Sequence, residues 1–164
     1  MCLTERPVQQ LTPKTSLKTT ETFGHLLGAH ATLTRRLSTQ LEKDHGLTMS
    51  EYEVLFLLSH EEDRSMRRID LSREVRLSPS GITRMLDRLE ATGLVEKGSC
   101  AKDARVTYAV LTDAGMEKLR ECAPAHLAEV ERLIGERLSD EEVESLGELL
   151  GRLSDLDDDL SVGD

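Results

Sequence analysis

The sequence predicts a mainly α-helical protein with one small β-hairpin, an α+β fold. Apolar residues recur at three- and four-residue spacings over most of the 164 residues, the periodicity of helices that bury one face. One stretch after residue 105 alternates with a period of two instead, as strands do. Aromatic residues make up only 2% of the chain, so the core is expected to be aliphatic. The length suits a single domain.

The first predicted element is a long amphipathic helix that follows a polar arm. Residues 1–20 contain two prolines and many threonines, which predicts a flexible arm. The helix is expected over residues 21–46 and should end at Gly46. Its apolar stripe consists of Phe23, Leu26, Leu27, His30, Leu33, Leu37 and Leu41.

A second helix is predicted directly afterwards. Thr48 and Glu51 have the spacing of a capping box, which marks its beginning. The apolar residues of this helix are Tyr52, Leu55, Phe56 and Leu58. The polar segment 61–68 is interpreted as a connection to the next element.

The centre of the chain predicts a helix-turn-helix followed by a hairpin. Residues 69–75 form a short helix, and Ser78-Pro79 then provides an N-cap with proline at the first helical position. The second helix buries a face of Ile82, Met85, Leu86 and Leu89 and ends at Gly93. Strands are expected over 94–98 and 106–111. Residues 48–111 are therefore predicted to form a winged helix-turn-helix module.

Two helices complete the predicted fold. Thr112 is expected to cap a long helix that Pro124 kinks, and Ser139 with Glu142 has capping-box spacing. Both ends of the chain carry leucine stripes without an obvious partner, and a twofold dimer would bury them. Residues 21–164 are thus interpreted as one domain whose helices at 21–46 and 113–160 dimerise. The predicted interface residues are Leu26, Leu146, Leu149, Leu150, Leu153 and Leu156.

The charge distribution favours nucleic acid as a partner of the winged module. The net charge is −10, yet residues 64–108 contain ten basic and six acidic side chains. The longest apolar run, residues 54–58, is too short for a membrane span. Three dispersed cysteines predict a reduced, cytoplasmic protein that is associated with the nucleoid when it binds DNA.

Particular side chains suit double-stranded DNA. On the second helix of the helix-turn-helix, Arg84 is expected to reach a base edge and Arg88 a phosphate. The loop between the strands, residues 99–105, is longer than most hairpin loops, and its Asp103 is expected to aim Arg105 at a narrow minor groove. The predicted DNA-binding residues are Arg73, Ser80, Thr83, Arg84, Arg88, Lys102, Asp103 and Arg105.

The central motifs resemble the multiple antibiotic resistance regulator (MarR) family of bacterial transcription factors. The matching segments are DLSREV at 70–75, LSPSGITR at 77–84, LDRLE at 86–90, GLV at 93–95, KDAR at 102–105 and LTDAG at 111–115. The resemblance covers roughly residues 22–156 and departs from the family at Arg67, where a capping Thr or Ser is common. It implies a homodimeric regulator, most often a repressor, that binds a pseudo-palindromic DNA operator.

The resemblance also implies a small aromatic or anionic effector that binds in a crevice beside the first helix. The candidate ligand-binding residues are His25, His30, Tyr52 and Phe56, with core or surface packing as the alternative. A winged-helix protein-interaction module and a redox- or metal-sensing regulator remain alternative functions. An enzyme is disfavoured because the sequence lacks a phosphate-binding glycine loop and a nucleophile elbow. No cofactor and no metal site are predicted.

Overall fold

The computed structural model describes residues 17–99 and 107–154. The described part confirms the predicted fold class, with six helices and a small antiparallel sheet. The elements are α1 (Leu17–His45), α2 (Met49–His60), β1 (Ser65–Arg67), α3 (Arg68–Glu74), α4 (Pro79–Ala91), β2 (Val95–Ser99), β3 (Thr107–Leu111), α5 (Asp113–Leu133) and α6 (Asp140–Ser154). The chain divides into two compact units, Met1–Arg35 and Arg36–Asp164.

The first unit contributes the N-terminal part of α1. The helix begins at Leu17, so the predicted boundary at residue 21 is wrong by one turn, and the remainder of the predicted arm, residues 1–16, lies outside the described residues. Phe23, Leu26 and Leu27 are exposed on this part of the helix. An amphipathic pattern identifies a helix better than it identifies its first turn, where backbone N–H groups have no partner within the helix.

The second unit contains a three-stranded sheet in the order β1-β3-β2. β1 corrects the interpretation of segment 61–68 as a simple connection. Met66 pairs with Ala109, and the Leu111 N–H donates to the Arg64 carbonyl at 2.9 Å. A strand of three residues is too short to show alternation, because its stability comes from its partner strand and not from its own sequence.

The core of the second unit is aliphatic, as predicted. The face of α4 made by Ile82, Met85, Leu86 and Leu89 is buried, with exposed fractions of 5% or less. The largest fully buried side chains are Leu41, Leu55, Leu58, Leu71, Ile82, Leu89, Val54 and Cys122. Strand β3 alternates as predicted, but its buried positions are Ala109 and Leu111, whereas Tyr108 and Val110, which carried the apolar alternation in the sequence, are half-buried.

Local capping signals place the helix ends. Thr48 and Glu51 form the expected capping box, and the hydroxyl groups of Ser78 and Thr112 accept N–H groups of α4 and α5. Gly46 and Gly93 adopt φ values of +69° and +73° after α1 and α4, a conformation that costs glycine little. These predicted boundaries are confirmed.

The turn between α3 and α4 has no glycine at its left-handed position. Arg76, and not a glycine, adopts the left-handed conformation here with φ of +53°. The Ser72 hydroxyl donates to the Leu77 carbonyl at 2.7 Å, and the Leu77 N–H returns to the Ser72 carbonyl at 3.0 Å. These two bonds hold the turn tight enough to overcome the unfavourable backbone conformation of Arg76.

The close approach of the Leu94 carbonyl to Gly115 explains why the LTDAG motif needs a glycine. A Cβ atom at this position would lie 2.1 Å from the Leu94 carbonyl oxygen. The neighbouring Thr112 hydroxyl donates to the Gly93 carbonyl at 2.7 Å and accepts the Gly115 N–H at 3.0 Å. The beginning of α5 is therefore fastened directly to the end of α4.

Candidate nucleic-acid interface

Helix α4 is oriented by its cap and by its buried face. The Gly81 N–H donates to Ser78 Oγ at 3.1 Å, and Pro79 occupies the first turn. Because Ile82 and the other apolar residues face the core, the opposite face of the helix projects into solvent. The exposed residues of this face are Ser80, Arg84, Asp87 and Arg88.

Arg84 has an available guanidinium group. Its side chain is exposed, and it makes no hydrogen bond or ion pair with any residue in 17–99 or 107–154. An arginine on the exposed face of a helix can donate two parallel hydrogen bonds to a guanine edge or to a phosphate. Of the predicted base-reading residues, Arg84 therefore retains its full donor capacity.

Arg88 is held by a residue of α2. Its Nε and Nη2 atoms each lie 3.0 Å from Glu51 Oε1. Glu51 is 7% exposed, and its other carboxylate oxygen accepts the Thr48 N–H and hydroxyl, each at 2.9 Å. One carboxylate thus caps α2 and anchors α4, so Arg88 has an internal partner that its spacing in the sequence did not indicate.

Three other predicted DNA-binding side chains are held less firmly than Arg88, namely those of Thr83, Ser80 and Arg73. The Thr83 hydroxyl donates to the Pro79 carbonyl at 2.7 Å, within its own helix. Ser80 Oγ lies 3.2 Å from Ser78 Oγ, and Arg73 is 76% exposed with Asp70 at 3.8 Å. Arg68 Nη1 donates to Thr83 Oγ1 at 3.4 Å, which brings a cation to the exposed face that the sequence interpretation missed.

The first helix of the helix-turn-helix starts without a side-chain cap. Arg67 occupies the N-cap position, and no side-chain hydrogen bond caps the helix there. Its guanidinium group donates instead to Asp70 Oδ2. The departure from the family pattern therefore replaces a hydroxyl cap with an exposed ion pair.

Lys97 connects β2 to α4. Its Nζ lies 2.9 Å from Asp87 Oδ1 and 2.7 Å from Glu90 Oε2. The hydrogen bonds that Lys97 donates to Glu90 and then to Asp87 raise the pKa of Lys97. Sequence spacing does not reveal this bridge, because its partners lie on α4 and meet Lys97 only after the hairpin has folded back. The predicted wing residues Lys102, Asp103 and Arg105 lie outside the described residues.

The four candidate ligand residues have different environments. Tyr52 is 6% exposed, and its ring centroid lies 4.4 Å from that of His126. Phe56 is 45% exposed and stacks on Tyr52 at 6.4 Å. His25 and His30 are exposed on the part of α1 that belongs to the first unit. The structure therefore brings Tyr52 and Phe56 together on α2.

A buried polar cluster surrounds Tyr52. Burial raises the pKa of the Cys122 thiol and of the Tyr52 phenol, and it lowers the pKa of His126. Cys122 is fully buried on α5, one turn before His126. A thiol in this setting is less nucleophilic than an exposed one. Only the helical periodicity of α5 could have indicated that Cys122 and His126 share a face.

The predicted dimer residues are mostly exposed. Leu26 of α1 is 37% exposed, and α6 has no buried residue. The exposed apolar residues of α6 are Val143, Leu146, Leu149, Leu150 and Leu153. Leu156 lies outside the described residues.

The described residues provide neither a metal-binding cluster nor a membrane helix. Across 17–99 and 107–154, no three His, Cys, Asp or Glu side chains come together in an arrangement that could hold a metal ion. Within the same ranges, every helix is too short or too polar to span a bilayer.

Comparison with known proteins identifies the family. The MarR family model matches residues 47–107, which cover the helix-turn-helix, β2 and the first residue of β3. The HTH-type transcriptional regulator MhqR of Bacillus subtilis is 33% identical over 136 residues, which are 83% of this chain and 91% of MhqR. The chain belongs to the MarR family of transcriptional regulators. Members of this family are regulators and not enzymes, which agrees with the sequence prediction.

Solved MarR structures share the fold. AbsC, a MarR family regulator from Streptomyces coelicolor, superposes with a TM-score of 0.79 at 32% identity, covering 88% of this chain and 97% of AbsC. Sco3205 of the same organism, solved in complex with DNA, gives a TM-score of 0.80 at 29% identity over 86% of this chain and 89% of Sco3205. A further relative by sequence is the HTH-type transcriptional repressor YetL of Bacillus subtilis, which is 30% identical over 66% of this chain and 67% of YetL.

Proposed function

We propose that this MarR-family regulator is a sequence-specific repressor that binds double-stranded DNA through α4 and the hairpin. The observation that carries the proposal is Arg84, exposed on α4 and unpaired within the described residues. The similar Sco3205 was solved with DNA, and YetL is named a repressor. Arg84 is assigned to a base edge in the major groove, and Arg105 to the minor groove beside it.

The other predicted contacts take supporting roles in this proposal. Arg73, Ser80, Thr83 and Lys102 contact the DNA backbone, and Asp103 orients Arg105. Phosphate contacts of this kind position a protein on the duplex without reading its sequence. Arg88 is assigned a positioning role, since Glu51 already engages its guanidinium group.

The regulator is proposed to act as a homodimer in the cytoplasm, on the nucleoid. The exposed leucines of α6, together with those of α1, would be covered by a second copy of the chain. Residues 21–46 and 113–160 would then form the dimerisation helices and residues 48–111 the DNA-binding module. A twofold dimer presents two α4 helices, so its operator is a pseudo-palindrome with half-sites about one helical turn apart.

Release from DNA is proposed to follow binding of a small aromatic or anionic effector. Tyr52 and Phe56, which stack on α2, are the structural candidates for contacts to an aromatic ring. His25 and His30 are retained as candidates from the sequence. This part of the proposal requires that the effector binds the DNA-free form more tightly than the DNA-bound form.

Selection of binding sites from random duplex DNA tests the proposal. The full-length protein should recover a pseudo-palindrome, which then serves in titrations of point variants. Arg84→Ala should cost roughly 1–3 kcal/mol and relax the preference at one base pair of each half-site. Arg120→Ala is the matched control, because Arg120 is exposed on α5 and pairs with Glu117. If selection enriches no sequence, or if Arg84→Ala keeps every base preference, α4 does not read DNA as proposed.

A further inference from the structure

Arg68, at the beginning of α3, has no assigned role in the proposed interface. It belongs to the segment 64–76, which contains five arginines and only two acidic residues. Three of these arginines lie 3.8 Å or less from a carboxylate oxygen, namely Arg64, Arg67 and Arg73. Arg68 is exposed, and its one polar contact within residues 17–99 and 107–154 is the 3.4 Å hydrogen bond to Thr83 Oγ1. Because a guanidinium group has five N–H donors, most of its donor capacity is available.

The position of Arg68 is where α3, α4 and the hairpin meet. Its neighbour Arg67 pairs with Tyr108 in the register of β1 and β3. Its partner Thr83 directly precedes Arg84 on α4. Arg68 also lines a narrow crevice between α4 and the hairpin, together with Thr83 and Tyr108. Arg68 is therefore close both to the proposed base-reading residue and to the end of the hairpin where the chain connects β2 to β3.

The acidic residues of this crevice do not hold the Arg68 guanidinium group. Asp87 and Glu90 both pair with Lys97, at 2.9 and 2.7 Å. Glu96 also lines the crevice but forms no ion pair with Arg68 within the described residues. Three carboxylates and two cations line the crevice, so we do not expect an anion to enter it. Arg68 is instead able to meet an anion at the surface, with the donors that face solvent.

We infer that Arg68 binds a phosphate of the DNA strand that passes between α4 and the hairpin. The inference rests on the proposed function, which places α4 in the major groove and Arg105 in the minor groove beside it. One sugar-phosphate strand separates two adjacent grooves, so this strand crosses the surface where Arg68 is exposed. A charge-assisted contact there reads no base but fixes the register of α4 and the hairpin along the duplex.

Binding titrations of full-length Arg68→Met against the selected duplex test this contact. The affinity should fall about tenfold for each half-site, with every base preference retained. The slope of log affinity against log salt concentration should decrease by about one unit per half-site. Arg68→Lys keeps the charge and should keep the salt slope. Arg67→Met is the matched control, because it removes a neighbouring positive charge whose guanidinium group Asp70 already engages, and it should leave the slope nearly unchanged.

Duplexes with one neutral phosphate locate the partner of Arg68. A methylphosphonate group, which removes the charge of a single phosphate, is placed at one position after another along each half-site. Neutralising the phosphate that Arg68 contacts should weaken binding of the parent protein but should not weaken Arg68→Met further, because the contact is lost only once. This phosphate should lie between the base pair whose preference depends on Arg84 and the minor groove that flanks it.

The outcomes separate this contact from the proposed function. Equal affinity and salt slope of Arg68→Met and the parent protein, or equal losses for Arg67→Met and Arg68→Met, overturn the contact and leave base reading by Arg84 in place. Additive losses at every methylphosphonate position also overturn it. If selection enriches no sequence, the proposed reading of DNA fails, and Arg68→Met should still reduce the salt slope on random duplex; an unchanged slope there overturns the contact as well. Arg68→Gln is the second neutral variant, used if circular dichroism shows that Arg68→Met is misfolded.

Discussion

The ion pair between Glu51 and Arg88 predicts a measurable coupling between α2 and α4. The two substitutions are Glu51→Gln, which keeps a side chain able to cap α2, and Arg88→Met, which keeps the length and apolar contacts of the arginine stem. Exposed ion pairs contribute about 0–1 kcal/mol, and breaking a buried pair costs about 3–5 kcal/mol. Here the Glu51 side chain is 9% exposed and the Arg88 side chain 60% exposed. We therefore expect a coupling free energy of about 1.5 kcal/mol.

A double-mutant cycle on the free energy of unfolding measures this coupling. Urea unfolding of the parent protein, both single variants and the double variant, followed by circular dichroism, gives the four free energies. The double variant should lose less stability than the sum of the single losses, because one interaction is removed only once. A coupling below about 0.5 kcal/mol would show that the pair does not anchor α4, since independent sites add within that margin.

The same variants distinguish anchoring from phosphate binding by Arg88. If Arg88 positions α4, Arg88→Met should lower DNA affinity while the dependence of affinity on salt concentration stays nearly unchanged. Glu51→Gln should also lower the affinity for DNA. This substitution removes a negative charge, so a loss of affinity would come from the lost anchor and not from repulsion of the DNA. A phosphate contact predicts instead that Arg88→Met reduces the salt slope by about one unit per half-site. A reduction of that size would contradict the positioning role.

Three further expectations concern stability and assembly. Gly115→Ala should lower the free energy of unfolding in urea by about 3 kcal/mol, because the new Cβ would meet the Leu94 carbonyl oxygen. Gly147→Ala is the control and should cost no stability, because no atom lies within 4 Å of the new Cβ. Equal stability of the two variants would refute the clash at Gly115. Burial lowers the pKa of His126, so the unfolded chain binds protons more readily, and stability should decline as pH falls below the ordinary histidine value of 6.5. His126→Phe should flatten that decline, and an unchanged pH profile would exclude His126 as its cause. Light scattering should show a dimer that Leu149→Glu with Leu153→Glu dissociates, and a folded monomer of the parent at micromolar concentration would refute dimerisation.

The sequence by itself determined the features that depend on neighbouring residues. Thr48, Ser78 and Thr112 cap their helices through partners three residues away, so the spacing predicts the bond. Gly46 and Gly93 end helices because glycine reaches positive φ at little cost. The buried face of α4 followed from its period of 3.6 residues alone. The family motifs pointed to the same winged helix-turn-helix, which the structure and the comparisons confirmed.

Only the tertiary structure decided the contacts between distant segments. β1 exists because β3 pairs with it, and Glu51 reaches Arg88 across 37 residues of sequence. Lys97 meets Asp87 and Glu90 only when β2 folds back over α4. An amphipathic pattern shows that a side chain faces outward but not which segment packs beside it. The periodicity of α4 thus exposed both Arg84 and Arg88, as predicted, but the partner of Arg88 on α2 could not be read from it, because relative placement of helices comes from core packing and not from local spacing.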